Sequence, residues 1–341
     1  MPKQRIEWID LGKGVAMLLV LIGHCEFTPE WGINFIYTFH MPLFFFLSGM
    51  VFSVSKYASF REFFIHKAKT LLLPYLALVS ILFVWKIFFR NPDHILTLDT
   101  LQALLGLVVQ MRDTPYYFSL WYVACLFVMD LLLYWVVRLS GNRPVFILVI
   151  ALAGSLAGYF YVEWIGRSLP WNIDAAFVSL LFFAAGYLLR QRMEKLTILF
   201  HWGFLLLAVP ANLVLGYLNY SKEGKIDLYY SHLGNGFYYF LSALFGIWAS
   251  MILLRKVSRC RPIQWIGRNS LIYYTFQNFI ALPEAEAIVA ALASSGFILF
   301  RINSFKSLAA VLIACLLLAL ISYIINTAFP WVMGRKKEKG L

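Results

Sequence analysis

Apolar residues run through this chain in long blocks, broken by short polar connections, with none of the strict alternation that marks half-buried strands. A membrane-crossing helix needs about 20 predominantly apolar residues. Ten stretches qualify, at roughly 12–28, 33–54, 70–89, 117–137, 144–162, 173–190, 198–219, 233–254, 270–290 and 307–330. Gly154 and Gly158 interrupt the fifth, and Glu284 and Glu286 fall near the end of the ninth. The longest polar connections are about twenty residues, too short for a separate water-soluble domain. The pattern therefore predicts an all-α integral membrane protein with about ten transmembrane helices, occupying residues 1–341 as a single domain.

Composition agrees: 61% of the 341 residues are apolar and 13% are charged. A water-soluble domain is normally nearer half apolar and a quarter charged. The net charge of +12 would suit a nucleic-acid binder, but its distribution points elsewhere. With the N-terminus inside, the inner connections hold 21 of the 29 lysines and arginines, from Lys3 and Arg5 through Arg255, Lys256, Arg259, Arg261 and Arg268 to Arg335, Lys336, Lys337 and Lys339. Lysine and arginine stay on the cytoplasmic side of short loops. The bias holds at every turn of a ten-helix arrangement with both termini cytoplasmic, and an odd number of helices would break it. Acidic residues lean outward: Glu26, Glu30, Asp93, Asp99, Asp113, Glu163, Glu223 and Asp227. Most of these read as solvated loop charges, and no nucleic-acid partner is expected.

The four cysteines, Cys25, Cys125, Cys260 and Cys315, are far apart, with neither metal-ligand spacing nor a disulfide framework. No metal is expected. Lys3 and Arg5 followed by an apolar run resemble a signal peptide, but Asp10 and Lys13 interrupt the run and a second span follows at once. It reads as a retained first helix. Neither a nucleophile elbow, a zinc-protease histidine pair nor a glycine-rich phosphate loop occurs.

Ionisable side chains within spans carry the remaining information, because burying them in hydrocarbon is costly and function is their usual reason. In "IDLGKGVAMLLVLIGHC", Lys13 and His24 are eleven residues apart, which is three helical turns plus about 20°, so they share a face about 16 Å apart along the axis. Asp10 lies one turn before Lys13, within pairing reach. His40 falls about two turns into a second helix starting near Ile33, close to the outer end of the first, so the two histidines can face one cavity. Pro42, two residues on, is positioned to kink that helix. Asp130 needs a partner inside the membrane. Asn172, Asp174, Gln277 and Asn278 are further polar groups at or within spans. Trp121, near an outer helix end, reads either as an interfacial aromatic or as a platform for a sugar ring.

These same residues carry a resemblance. "IDLGKGVAMLLVLIGH" followed by "FHMPLFFFLSG" resembles the acyltransferase-3 family of integral membrane acyltransferases, in particular its fucose 4-O-acetylase-like, stand-alone members. The family's first helix carries a basic residue, ten intervening residues and a histidine, here Lys13 and His24. "KAKTLLLPYL", "SLWYVACLF", "FFAAGYLL" and "IQWIGRNSLIYYTFQ" are similar to later family segments, so the likeness spans most of the chain. One departure stands out: Gln277 occupies a position where members often have histidine, and an amide cannot supply the same proton chemistry.

The resemblance implies O-acyl transfer in a bacterial cytoplasmic (inner) membrane. The acyl donor would be acetyl-CoA at the cytoplasmic face, and the acceptor a hydroxyl of an envelope carbohydrate or lipid-linked glycan on the outer side. An alcohol needs a general base at neutral pH, and imidazole titrates in the right range. His24 is the candidate base or acyl relay, with His40 as a second catalytic candidate. Lys13, Lys67, Lys69 and Arg268 are candidates for the phosphates of CoA, and Trp121 and Asp10 for the acceptor. A secondary transporter or flippase for a glycan or small solute is the alternative for a ten-helix chain with intramembrane ionisable groups. Against it, the two halves show no repeat, and the polar groups concentrate in the first two helices.

Overall fold

The computed structural model describes residues 7–90, 105–106, 108–110, 112, 120–257, 259–295 and 298–333. The expected loop charges Lys3, Arg5, Asp93, Asp99, Asp113, Arg335, Lys336, Lys337 and Lys339 lie outside them. Among the described residues there is no strand, and the one paired extended contact is an isolated bridge between Asp227 and His232. Nine helical segments among the described residues are long and apolar enough to cross a membrane: Glu30–Val51, Phe60–Trp85, Trp121–Leu139, Pro144–Trp164, Pro170–Arg192, Trp202–Glu223, Gly236–Val257, Ser270–Ser294 and Asn303–Ala328. Helix α1, Glu7–His24, adds an eighteen-residue helix whose Glu7, Asp10 and Lys13 set it apart from the nine by composition. The protein is an all-α integral membrane protein, and each expected span corresponds to one of these segments.

The chain divides into two compact units. The first comprises residues 1–50, 188–228 and 232–322, and the second residues 51–187, 229–231 and 323–341. In the first unit, α1 packs along α11 (Arg261–Arg268) at close range. A methyl group placed on Gly14 would run into the Ile263 carbonyl, and one on Gly267 into the Asp10 carbonyl. Apolar lipid tails give no hydrophobic drive for helix association, so close backbone approach at small residues supplies the packing energy instead. The same device recurs where Phe39 sits on Gly246 and Thr38 on Gly216, each too close for a side chain there. Gly246 belongs to α10 (Gly236–Val257) and Gly216 to α9 (Leu205–Glu223).

The second span is broken, which corrects the expected continuous helix. Helix α2 runs Glu30–Tyr37 and α3 runs His40–Val51, so His40 opens a helix where two turns of helix were expected before it. Pro42 is responsible, one turn upstream of where a kink was expected. It has no N–H for the Thr38 carbonyl, and its ring disfavours helix at the preceding turn. In the first turn of α3 its missing donor costs nothing, because those N–H groups lack helical partners in any case. The freed turn is held by side chains instead. The Thr38 hydroxyl donates to the Phe35 carbonyl (2.7 Å), and the Asn212 amide donates to the Thr38 hydroxyl (3.0 Å) and to the Ser242 carbonyl (2.8 Å).

In the second unit, α4 (Phe60–Lys67) opens with Ser59 accepting from the Glu62 N–H (3.2 Å), while the Glu62 carboxylate accepts from the Ala58 N–H (2.9 Å). This is a reciprocal N-terminal cap of the Ser-x-x-Glu kind. A π-turn over Ala68–Leu72 leads into α5 (Leu73–Arg90). A second π-turn, Gln277–Ala281, lies in the first unit between α12 (Ser270–Phe276) and α13 (Leu282–Ser294). Both are followed by the dipeptide Leu-Pro, at Leu73-Pro74 and Leu282-Pro283. Widening the helix by one residue relieves the clash of each proline ring with the preceding turn. Helix α6 (Trp121–Leu139), α7 (Pro144–Trp164) and the first part of α8 (Ile173–Arg192) complete this unit's packed helices. Gly158 lets α7 lie against the Val178 backbone, and Ser155 both donates to the Phe177 carbonyl (3.1 Å) and accepts from the Leu181 N–H (2.8 Å).

Candidate functional site

His24 ends α1, flanked by buried Gly23 and Cys25, while its own side chain reaches accessible space. Its Nδ1 lies 2.9 Å from the Val20 carbonyl one turn back. His40, only 4% exposed, repeats the arrangement, with Nδ1 2.9 Å from the Ile36 carbonyl. A carbonyl oxygen only accepts, so Nδ1 carries the proton in both rings. In the neutral imidazoles the basic lone pair is then on Nε2. Tyr37 stands between the two, its ring centroid 6.3 Å from His24 and 4.8 Å from His40. The two histidines are therefore brought together through an aromatic spacer.

Three members of this cluster escaped the sequence reading. Besides Tyr37, the Lys225 ammonium lies over the Tyr37 ring at 4.2 Å, and Asp227 and Lys225 are the charged groups that act on His24. Lys225 and Asp227 come from the connection after α9, and Asp227 had been read as one of several solvated outer charges. Only Asp227's position in an outer loop hinted at a role, because the approach of that loop to α1 and α2 is a tertiary fact with no local periodicity.

The other first-unit candidates sit along α1 and α11. Asp10 and Lys13 are half-buried on α1, one turn apart. Arg268 is exposed at the end of α11 and donates through Nε to the Gln264 carbonyl (3.3 Å). The close packing at Gly267 puts its backbone beside the Asp10 carbonyl. Gln264, buried on α11, donates to the Glu7 carbonyl (3.2 Å). Gln277 is 1% exposed at the head of its π-turn, with Oε1 unpartnered among the described residues.

Lys67, Lys69 and Trp121 belong to the second unit. The Lys67 ammonium is 2.7 Å from Asp130 and lies over the Phe52 and Phe63 rings at 5.4 and 5.7 Å. Asp130 thus has the partner its position demanded, and Lys67 is committed to it. Lys69, two residues on, lines a pocket of about 370 Å³ with Arg61, His66 and Tyr57. Arg61 and His66 are cationic or titratable neighbours that the sequence reading did not single out. Trp121 is buried at 5% exposure, with its ring 5.9 Å from Tyr229, so its surroundings are protein rather than the lipid interface. Asp174 pairs with Arg112, and the Ser231 hydroxyl donates to it (2.9 Å). Arg112 also donates to the Tyr229 carbonyl. Among the described residues no group of histidine, cysteine, aspartate and glutamate is arranged to hold a metal ion.

A family model described as an acyltransferase domain matches residues 6–327, nearly the whole chain. The chain belongs to the acyltransferase-3 family. No match is found among curated proteins, and none among solved structures. Membership decides between the two readings of the ten-helix pattern: the protein is a multi-pass membrane acyltransferase. The matched region includes both histidines and every basic candidate.

Proposed function

We propose that this acyltransferase moves an acetyl group from acetyl-CoA on the cytoplasmic side to a hydroxyl of an envelope carbohydrate or lipid-linked glycan on the outer side. The membrane would be a bacterial cytoplasmic membrane, with both chain termini inside. The observation that carries the reading is the tethered His24. Its Nδ1–H is committed to the Val20 carbonyl, so Nε2 is the basic atom, on a side chain with access to a substrate.

In this proposal Nε2 takes the proton of the acceptor hydroxyl as its oxygen attacks the thioester carbonyl. The C–O bond forms, the tetrahedral intermediate collapses, and the C–S bond breaks. The proton held on His24 leaves with the thiolate, giving the ester and CoA thiol. A general base in this position is worth about 10²–10⁴-fold in rate. His40 has the same tautomer, so as a neutral ring it can only accept at Nε2. That suits holding a second acceptor hydroxyl better than stabilising an oxyanion, which would need the imidazolium. Lys13 remains the first candidate for a CoA phosphate. Lys69, with Arg61 and His66 beside it, is better suited to an anion than Lys67, whose charge Asp130 already balances.

The test uses purified protein in nanodiscs with acetyl-CoA and a panel of sugar acceptors, scoring free thiol release and donor binding. Wild type should release thiol, and His24→Ala should bind donor and release at least 100-fold less. Equal release by both would remove His24 from the chemistry. Failure of the wild-type protein to bind acetyl-CoA would overturn the choice of donor.

A further inference from the structure

A cleft of about 480 Å³ lies between α2 and α9, within the size range of small-molecule sites. Its α2 wall is Trp31, Asn34, Phe35 and Thr38, spaced i, i+3, i+4 and i+7, so it is one face of that helix. Tyr37, which stands between the catalytic histidines, lies off that stripe. The α9 wall is a ridge of Asn212, Gly216 and Tyr220 at four-residue intervals, with Leu213 and Tyr217 beside it. Trp31, Leu213 and Tyr217 are exposed large side chains on membrane-spanning segments, so the cleft is open towards lipid. Its surface is mostly aromatic and aliphatic.

Two buried polar atoms in this lining have no hydrogen-bond partner among the described residues: Asn34 Oδ1 and Asn212 Oδ1. Asn212 is 2% exposed, and its amide nitrogen is occupied by Thr38 and by the Ser242 carbonyl, which fixes which end of the amide is left over. At the rim the Tyr220 hydroxyl donates its single proton to Glu30, so its contact with Asn34 uses the Asn34 nitrogen and again leaves the oxygen. Both orphans are acceptors, and a buried acceptor without a donor is costly. A hydrocarbon tail fills an apolar cleft but offers no donors. A phosphate offers only acceptors and would meet the Glu30 carboxylate. Neutral hydroxyls on a ring with an apolar face satisfy all of these conditions.

We propose that this cleft binds one sugar unit of a membrane-embedded glycolipid, with its hydroxyls donating to Asn34 Oδ1 and Asn212 Oδ1 and its apolar face on the aromatic wall. The proposal rests on the reading of the acceptor as a lipid-linked glycan. It assigns the cleft a holding role, on a different face of α2 from Tyr37, the residue that contacts both histidines.

The test measures equilibrium binding of tritiated octyl β-glucoside to the nanodisc-embedded protein, with methyl β-glucoside and octanol as competitors. Saturable binding is expected. Octanol should fail to displace the probe. Displacement by methyl glucoside at similar concentration would assign the site to free sugar rather than glycolipid and overturn that part of the proposal. Asn34→Leu should weaken binding roughly tenfold, the effect of one lost hydrogen bond to a buried acceptor. Asn34→Asp keeps the acceptor and should bind within about threefold of wild type. Leu213→Trp, at a half-exposed position, should block the cleft. Displacement by octanol would make the cleft a hydrocarbon site. Uptake unchanged by Asn34→Leu and Leu213→Trp would mean that the amide oxygens meet only water. Thiol release from acetyl-CoA by the wild-type protein is measured on the same preparation: its absence would count against the transferase reading alone, and absence of saturable glycoside binding against the cleft alone.

Discussion

The two units treat polar groups set among apolar helices in opposite ways. In the second, charges are matched against one another: Lys67 with Asp130, and Arg112 with Asp174. In the first, each histidine is tied to a backbone carbonyl four residues before it, and each ring keeps a basic nitrogen not used by that tie. A low-dielectric interior penalises an isolated charge heavily, and pairing removes most of the penalty. Neutral imidazole avoids it altogether while retaining a lone pair that can take a proton. Paired charges therefore read as structure, and tethered imidazoles as chemistry, although both look alike in the sequence as polar residues in apolar runs.

That contrast can be broken from either side. The largest stability effect is expected for Asp130→Asn, which leaves the Lys67 ammonium uncompensated. A loss of about 3–5 kcal/mol is expected, seen as a lowered thermal midpoint in detergent. Lys67→Met combined with Asp130→Leu should recover much of it, because an apolar pair of similar volume removes both desolvation penalties. If the double variant is as unstable as Asp130→Asn, the pair is more than a structural tie. His40→Ala should leave donor binding intact and slow transfer to the sugar about 100-fold. Loss of acetyl-CoA binding instead would place His40 on the donor side.

Smaller effects follow along α1. Gly14→Ala pushes a methyl group into the Ile263 carbonyl and should cost about 1–3 kcal/mol by overpacking. A neutral outcome would mean that α1 and α11 can separate freely. Lys13→Ala should weaken acetyl-CoA binding by about tenfold, the equivalent of about 1.4 kcal/mol, with turnover at saturating donor preserved. Intact binding with lost turnover would move Lys13 from phosphate recognition into the chemistry.

Much of this arrangement is legible in the chain because lipid imposes simple rules. Each span had to be a helix about 20 residues long, and the shared face of Lys13 and His24 follows from helical geometry alone. The break before His40 was not legible in its place. Pro42 advertises a disturbance, but its effect falls on the turn before it, where Thr38 and Asn212 absorb it. The two π-turns have a local signal in their Leu-Pro dipeptides, yet many such dipeptides simply begin helices. Lys225 and Asp227 do not stand out as site residues in the chain, since nothing in a polar loop states which helix end it folds against. Lys67 looked like its neighbour Lys69, and only the position of Asp130 separates them.

The central claim is that His24 acts through Nε2 while Nδ1 holds the ring in place. The measurement that tests it most directly is thiol release from acetyl-CoA by His24→Asn, with donor binding measured on the same preparation. Asparagine can keep a donor near the Val20 carbonyl but has no basic nitrogen. The account predicts donor affinity within about twofold of wild type and release lowered at least 100-fold, the lower bound for a lost general base. Release within tenfold of wild type, with binding preserved, would contradict it.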